Sequence, residues 1–161
     1  MRSAPTTRRA LFASLAVAGL LSSACGDDQD PAGAADLWQR IQAAPGYRSW
    51  SRAPAVPERI PSFTAHADAI ELFINKPMAD TFTAGQAITE WPVGSIVVKD
   101  GFKGDTLKIV AVMEKRPDGW FFAEYNGDGD TLFSGRPKVC TGCHDNRKDY
   151  SDWVYSIELP R

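Results

Sequence analysis

Apolar and polar positions alternate with period two through much of the middle of the chain. From Ala67 to Asn75, the residues Ile70, Leu72 and Ile74 share one face, which predicts a strand. Ser95 to Asp100 predicts a second, built on the β-branched run Ile96-Val97-Val98. Leu107 to Lys115 predicts a third, with Leu107, Ile109, Ala111 and Met113 on one face and Lys108, Val110, Val112 and Glu114 on the other. Trp120 to Tyr125 is a fourth, rich in aromatics. Trp91-Pro92-Val93-Gly94, Gly101 to Gly104 and Arg116-Pro117-Asp118-Gly119 read as turns. Such short connections predict antiparallel pairing of consecutive strands. Helical spacing shows at Leu37 to Ile41 and ends at Pro45-Gly46, and a short helix fits within Lys76 to Glu90. Arg52 to Pro61, carrying Pro54, Pro57 and Pro61, reads as irregular. The pattern predicts an α+β, mainly β fold: an antiparallel sheet of about four to five strands with a few short helices.

The N-terminus follows a different pattern. Arg2, Arg8 and Arg9 precede the apolar run Leu11 to Leu21. That run is shorter than the roughly 20 residues a spanning helix needs, so 1–24 reads as an export signal. Ser22-Ser23-Ala24 ahead of Cys25 fits a bacterial lipobox, with Cys25 as the lipidated N-terminus, although an ordinary cleaved signal shares these features. Thr7-Arg8-Arg9 before Leu11-Phe12 also fits a twin-arginine signal, so both export routes stay open. Residues 25–36, small and acidic, are expected to form a flexible linker, with the folded domain at 37–161. The expected location is the bacterial periplasm or cell envelope, with a lipid anchor in the membrane, the outer membrane by preference.

The 161 residues suit one domain. A hydrophobic share of 43% argues against global disorder, and a formal net charge of −2 gives no reason to expect nucleic acid as a partner. There are three cysteines: Cys25, Cys140 and Cys143. If Cys25 is acylated, the remaining pair needs its own explanation. It lies in Cys140-Thr141-Gly142-Cys143-His144, the Cys-x-x-Cys-His pattern of c-type haem attachment. The chemistry explains the spacing. Two thiols three apart on a helical turn share a face and can add to two neighbouring vinyl groups of one porphyrin. The following histidine can then bring a ring nitrogen to the iron. A thioredoxin-like pair would open a helix after a strand in a βαβ unit, and the pattern holds none. A zinc site needs four ligands, and His66, the other of the two histidines, is the sole obvious fourth. The expected cofactor is therefore one covalent haem c, held by Cys140 and Cys143 with His144 on the iron.

The other side of the iron decides function. His66, Met78 and Met113 are the candidate sixth ligands, and none sits in a ligand motif, so the sequence permits a five-coordinate iron. Asn126-Gly127-Asp128-Gly129-Asp130 invites a calcium reading but puts Thr131 where an EF-hand loop needs glycine, so it reads as a polar turn.

The chain resembles the cytochrome P-460 and cytochrome c′-beta family. The matching segments, in order, are Tyr47-Arg48-Ser49-Trp50, Phe73-Ile74-Asn75, Trp91 to Lys99, Val112-Met113-Glu114-Lys115, Asp118-Gly119-Trp120, and Cys140 to His144 followed by Ser151-Asp152-Trp153-Val154-Tyr155. The resemblance implies a mainly antiparallel sheet, commonly a homodimer, and a high-spin haem with His144 as proximal ligand and an open distal side. In hydroxylamine-oxidising members a lysine at the end of this strand is cross-linked to the porphyrin, and Lys99 matches it. Those members also carry a distal carboxylate on the next strand. Here Val110, or else Ile109, falls at that position, with Glu114 offset, which implies an apolar distal wall to which Phe63, Phe73, Phe102, Phe121 and Phe122 could contribute. Three functions follow. The first is binding of nitric oxide or carbon monoxide, or redox chemistry on small nitrogen compounds. The second is oxidation of hydroxylamine with a Lys99 cross-link. The third is electron transfer through a six-coordinate iron. A redox partner protein is expected for the last two.

Overall fold

The computed structural model describes residues 28–161; the export signal and Cys25 lie outside the described residues. Seven antiparallel strands form one sheet: β1 (Ser51–Arg52), β2 (Ile60–Thr64), β3 (Ala67–Ile74), β4 (Ile96–Lys103), β5 (Thr106–Arg116), β6 (Gly119–Asn126) and β7 (Thr131–Gly135). Their order is β1-β3-β4-β5-β6-β7, and β2 also pairs with β3, beyond the end that β1 takes. The helices are α1 (Pro31–Gln42), α2 (Lys76–Ala84), α3 (Lys138–His144) and α4 (Lys148–Ser151).

The four expected strands form the centre, and β1, β2 and β7 are additions at the margins. Both β1 and β2 fall in or beside the proline-rich stretch that reads as irregular, because edge strands tolerate proline. Gly101 is a strand residue rather than part of a turn. A Cβ there would lie 2.9 Å from both the Ala67 Cβ and the His66 carbonyl oxygen, so glycine lets the β2–β3 turn cross the sheet at close range.

The linker expected at 25–36 is corrected over its described part. The Arg136 N–H donates to the Asp28 carbonyl oxygen at 2.8 Å, and the Ser134 N–H donates to Gln29 Oε1 at 3.0 Å, so this segment lies along β7. Asp30 caps α1 by accepting from the Gly33 N–H at 2.8 Å, and Pro31 is the first helical residue. Asp-Pro is a helix-start signal that the small, acidic composition masks.

Side-chain alternation sorts the sheet into two apolar faces. Ala34, Leu37 and Ile41 of α1, with Tyr47, cover the face formed by Phe73, Val98, Val110, Val112, Phe121 and Tyr125. Asp100 is buried on this face, where it accepts from the Tyr47 hydroxyl at 2.6 Å and from Arg48 Nε at 2.8 Å. A buried carboxylate needs such partners. On the opposite face, Ile70, Leu72, Ile74, Val97, Met113, Trp120 and Phe122 are covered by Met78 of α2, by Trp91, and by Val154 and Ile157 near the C-terminus. That cover is incomplete. Where α3 crosses the sheet, a cavity remains.

Candidate functional site

The cavity measures about 550 Å³, within the range that encloses a sizeable organic ligand. Its floor is one cross-strand row. Leu72 on β3 stands opposite Lys99 on β4, Lys99 opposite Ala111 on β5, Ala111 opposite Glu124 on β6, and Glu124 opposite Phe133 on β7. All five line the cavity. Its other side is α3, which contributes Val139, Cys140, Cys143 and His144. Pro137 caps α3, and its carbonyl oxygen accepts from the N–H of Cys140 and of Thr141. One helical turn then separates the two thiols, as their spacing predicts.

His144 ends α3 and is 8% exposed. Its Nδ1 lies 2.7 Å from the Trp153 carbonyl oxygen, and Phe122 and Tyr155 each flank the ring edge-on at 5.1 Å between centroids. With Nδ1–H donated to that carbonyl, Nε2 is the nitrogen left to bind a metal. Burial pushes the imidazolium down to about 4, against the Trp153 hydrogen bond, and Lys99 acts in the same direction as burial. The ring is therefore neutral near pH 7, the form that ligates iron.

Lys99 is 7% exposed, and among the described residues no hydrogen bond or ion pair engages its amine. Burial lowers its pKa, while the Cys143 and Glu124 side chains pull the other way. A buried lysine without a hydrogen-bond partner in a largely apolar cavity is costly for a fold and marks a candidate functional group.

Glu124 corrects one expectation. Val110 does not face the cavity: it pairs with Asp100 and is fully buried under α1. Ala111 takes the place opposite Lys99, and a carboxylate reaches the cavity from the next strand as Glu124. His66, on the β2–β3 turn, brings Nε2 to 3.4 Å from Glu124, and its Nδ1 is buried without a hydrogen-bond partner among the described residues. The cavity wall is thus not wholly apolar. Of the aromatics expected there, Phe63 and Phe122 line it, whereas Phe73 and Phe121 pack on the α1 face and Phe102 lies under the Arg59 guanidinium. Met113 lines the wall as part of the core, and Met78 is buried in α2 away from the cavity. Glu124 left a signal in the sequence. Trp120, Phe122 and Glu124 share a strand face, and a carboxylate on an otherwise aromatic face calls for a partner or a ligand.

Residues 44–156 match the family model described as Cytochrome P460. The chain belongs to the cytochrome P460 family. No curated protein and no solved structure matches it. Membership implies haem, and the cavity residues of this P460 domain fit that group in three respects. Two thiols and a neutral imidazole border the same space. The imidazole has one nitrogen engaged and the other available. Phe63 and Val139, both exposed, give the cavity an apolar rim, which suits a large, mostly apolar macrocycle.

Proposed function

We propose that the protein is an exported monohaem c-type cytochrome that oxidises hydroxylamine or a similar small nitrogen compound. Cys140 and Cys143 would hold the porphyrin as thioethers, and His144 Nε2 would hold the iron. Bound there, haem would supply a redox centre for a small ligand. Within this reading the chain's own residues have separate tasks. Phe122, Tyr155 and the Trp153 carbonyl fix the imidazole. Phe63, Val97 and Met113 exclude water. Glu124 accepts protons released as the substrate is oxidised, and His66 orients that carboxylate. Lys99, buried on the cavity floor, is the candidate cross-link to the porphyrin. Electrons leave to a redox partner protein. Cys25 carries the lipid that holds the domain at the cell envelope, a reading that rests on the sequence alone.

The observation that carries this reading is the shared cavity. The Cys-x-x-Cys-His side chains border the space that a buried lysine and a partly buried carboxylate also line. A site for simple gas binding needs neither group. The largely apolar remainder of the wall favours a second reading, reversible binding of nitric oxide or carbon monoxide.

Mixing the ferric protein with hydroxylamine and an artificial electron acceptor separates the two. Catalytic reduction of the acceptor is expected. If the acceptor stays oxidised while the ferrous protein binds nitric oxide stoichiometrically, the second reading holds instead.

A further inference from the structure

The carbonyl that engages His144 belongs to an unusual stretch of backbone. Asp152 has φ 47° and Trp153 φ 72°, so two successive non-glycine residues occupy the left-handed region. Such a pair persists only where its surroundings hold it. The restraint is visible. Asp152 Oδ2 accepts from the Trp91 N–H at 2.9 Å and from Lys115 Nζ at 2.8 Å. Trp91 Nε1–H donates to the Ser151 carbonyl oxygen at 3.1 Å, and the Ser151 hydroxyl donates to the Val154 carbonyl oxygen. Asp152, Lys115 and Trp91 are all buried. Glu90, mostly exposed, reaches Lys115 from outside at 3.3 Å.

A buried ion pair of this kind adds little net stability, because desolvation offsets the attraction, and its best-attested use is to specify one geometry. The geometry specified here is the turn that aims the Trp153 carbonyl at His144. We propose that Asp152, clamped by Lys115, is a positioning residue for the iron ligand: it holds the Trp153 carbonyl on Nδ1 and so sets the electron donation of His144 to the metal. This rests on the haem assignment above. A strong Nδ1–H hydrogen bond makes the imidazole a more basic ligand, which favours ferric over ferrous iron. Asp152 acts from outside the ligand set, through one carbonyl.

Asp152→Asn isolates the effect. Asparagine tolerates left-handed backbone and keeps an acceptor for the Trp91 N–H, but it cannot pair with Lys115 as a charge. In the haem-loaded protein, the expected result is a higher reduction potential and a lower iron–histidine stretching frequency in the ferrous state. Lys115→Met should shift both in the same direction, and the double variant should add little to either single change, since both act through one contact. Glu90→Gln should leave both unchanged. A merely structural role would lower the unfolding midpoint and leave the potential and the stretching frequency at their wild-type values. That result in a coloured Asp152→Asn protein overturns the inference alone. A colourless wild-type protein, matured with cytochrome assembly, overturns the haem assignment and this inference with it.

Discussion

Lys99 and Glu124 both stand opposite Ala111, one on each neighbouring strand, so an amine and a carboxylate flank a methyl group on the cavity floor. The small residue between them leaves room above it. The three positions form the polar break in a row that Leu72 and Phe133 complete.

Glu124 is the proton acceptor in the proposed reaction. Glu124→Gln keeps the shape and removes the charge. Steady-state hydroxylamine oxidation should fall by about 10²–10⁴-fold, the usual worth of a positioned acid–base group. Nitric oxide affinity of the ferrous protein should stay within a few-fold. An undiminished turnover number would remove Glu124 from the mechanism.

The sequence makes the face of Lys99 readable and the face of its opposite number harder to read. Period-two alternation along Leu107 to Lys115 correctly puts Ala111 and Val110 on different faces. Which of them opposes Lys99 depends on register, and a one-residue slip exchanges the faces. The turn that pairs Lys103 with Thr106 and Phe102 with Leu107 would by itself set Lys99 opposite Val110, but a bulge between Gly101 and Phe102 shifts the ladder by one residue and pairs Lys99 with Ala111. The Cys140, Cys143 and His144 cluster was legible because its spacing is local. His66 and Glu124 were not, because they come 58 residues apart along the chain and meet only through the fold.

A bond from Lys99 to the porphyrin would replace one amine N–H and one porphyrin C–H with a C–N bond, the two protons passing to solvent and the two electrons to the redox partner protein of the proposed function. Burial lowers the pKa of Lys99 and so raises the share of neutral, nucleophilic amine. Proteolysis of the mature protein should yield the Lys99 peptide joined to the Cys140–Cys143 peptide through haem, and Lys99→Ala should release it. Two separate peptides from the wild type would mean that the lysine only borders the site.

On the opposite face, Tyr47→Phe removes a hydroxyl that donates to the buried Asp100 carboxylate at 2.6 Å. Leaving that acceptor short of a donor costs roughly 1–3 kcal/mol. The urea midpoint should fall accordingly, while the haem spectrum stays unchanged because the sheet separates the two sites. A spectral change would show that the faces are coupled.

Acid should destabilise the haem-free chain through His144. The folded ring titrates at about 4, below the ordinary 6.5, so the unfolded chain takes up a proton first. Stability is complete above pH 6.5 and drains away as pH falls through 4, by roughly 3 kcal/mol in total. Urea unfolding between pH 7 and 4 measures this, and His144→Gln should flatten that part of the profile. An equal slope in the variant would assign the loss to other groups.

The central claim is covalent attachment of one haem at Cys140 and Cys143. The most direct measurement is the intact mass of protein matured in a host with cytochrome assembly, taken after extraction with acidified acetone. The account predicts the mass of the processed chain plus one haem, with the haem retained in Lys99→Ala and lost, leaving the chain alone, when Cys140→Ala and Cys143→Ala are added to it. A wild-type mass equal to the bare chain, with the colour lost to the solvent or never present, would contradict it.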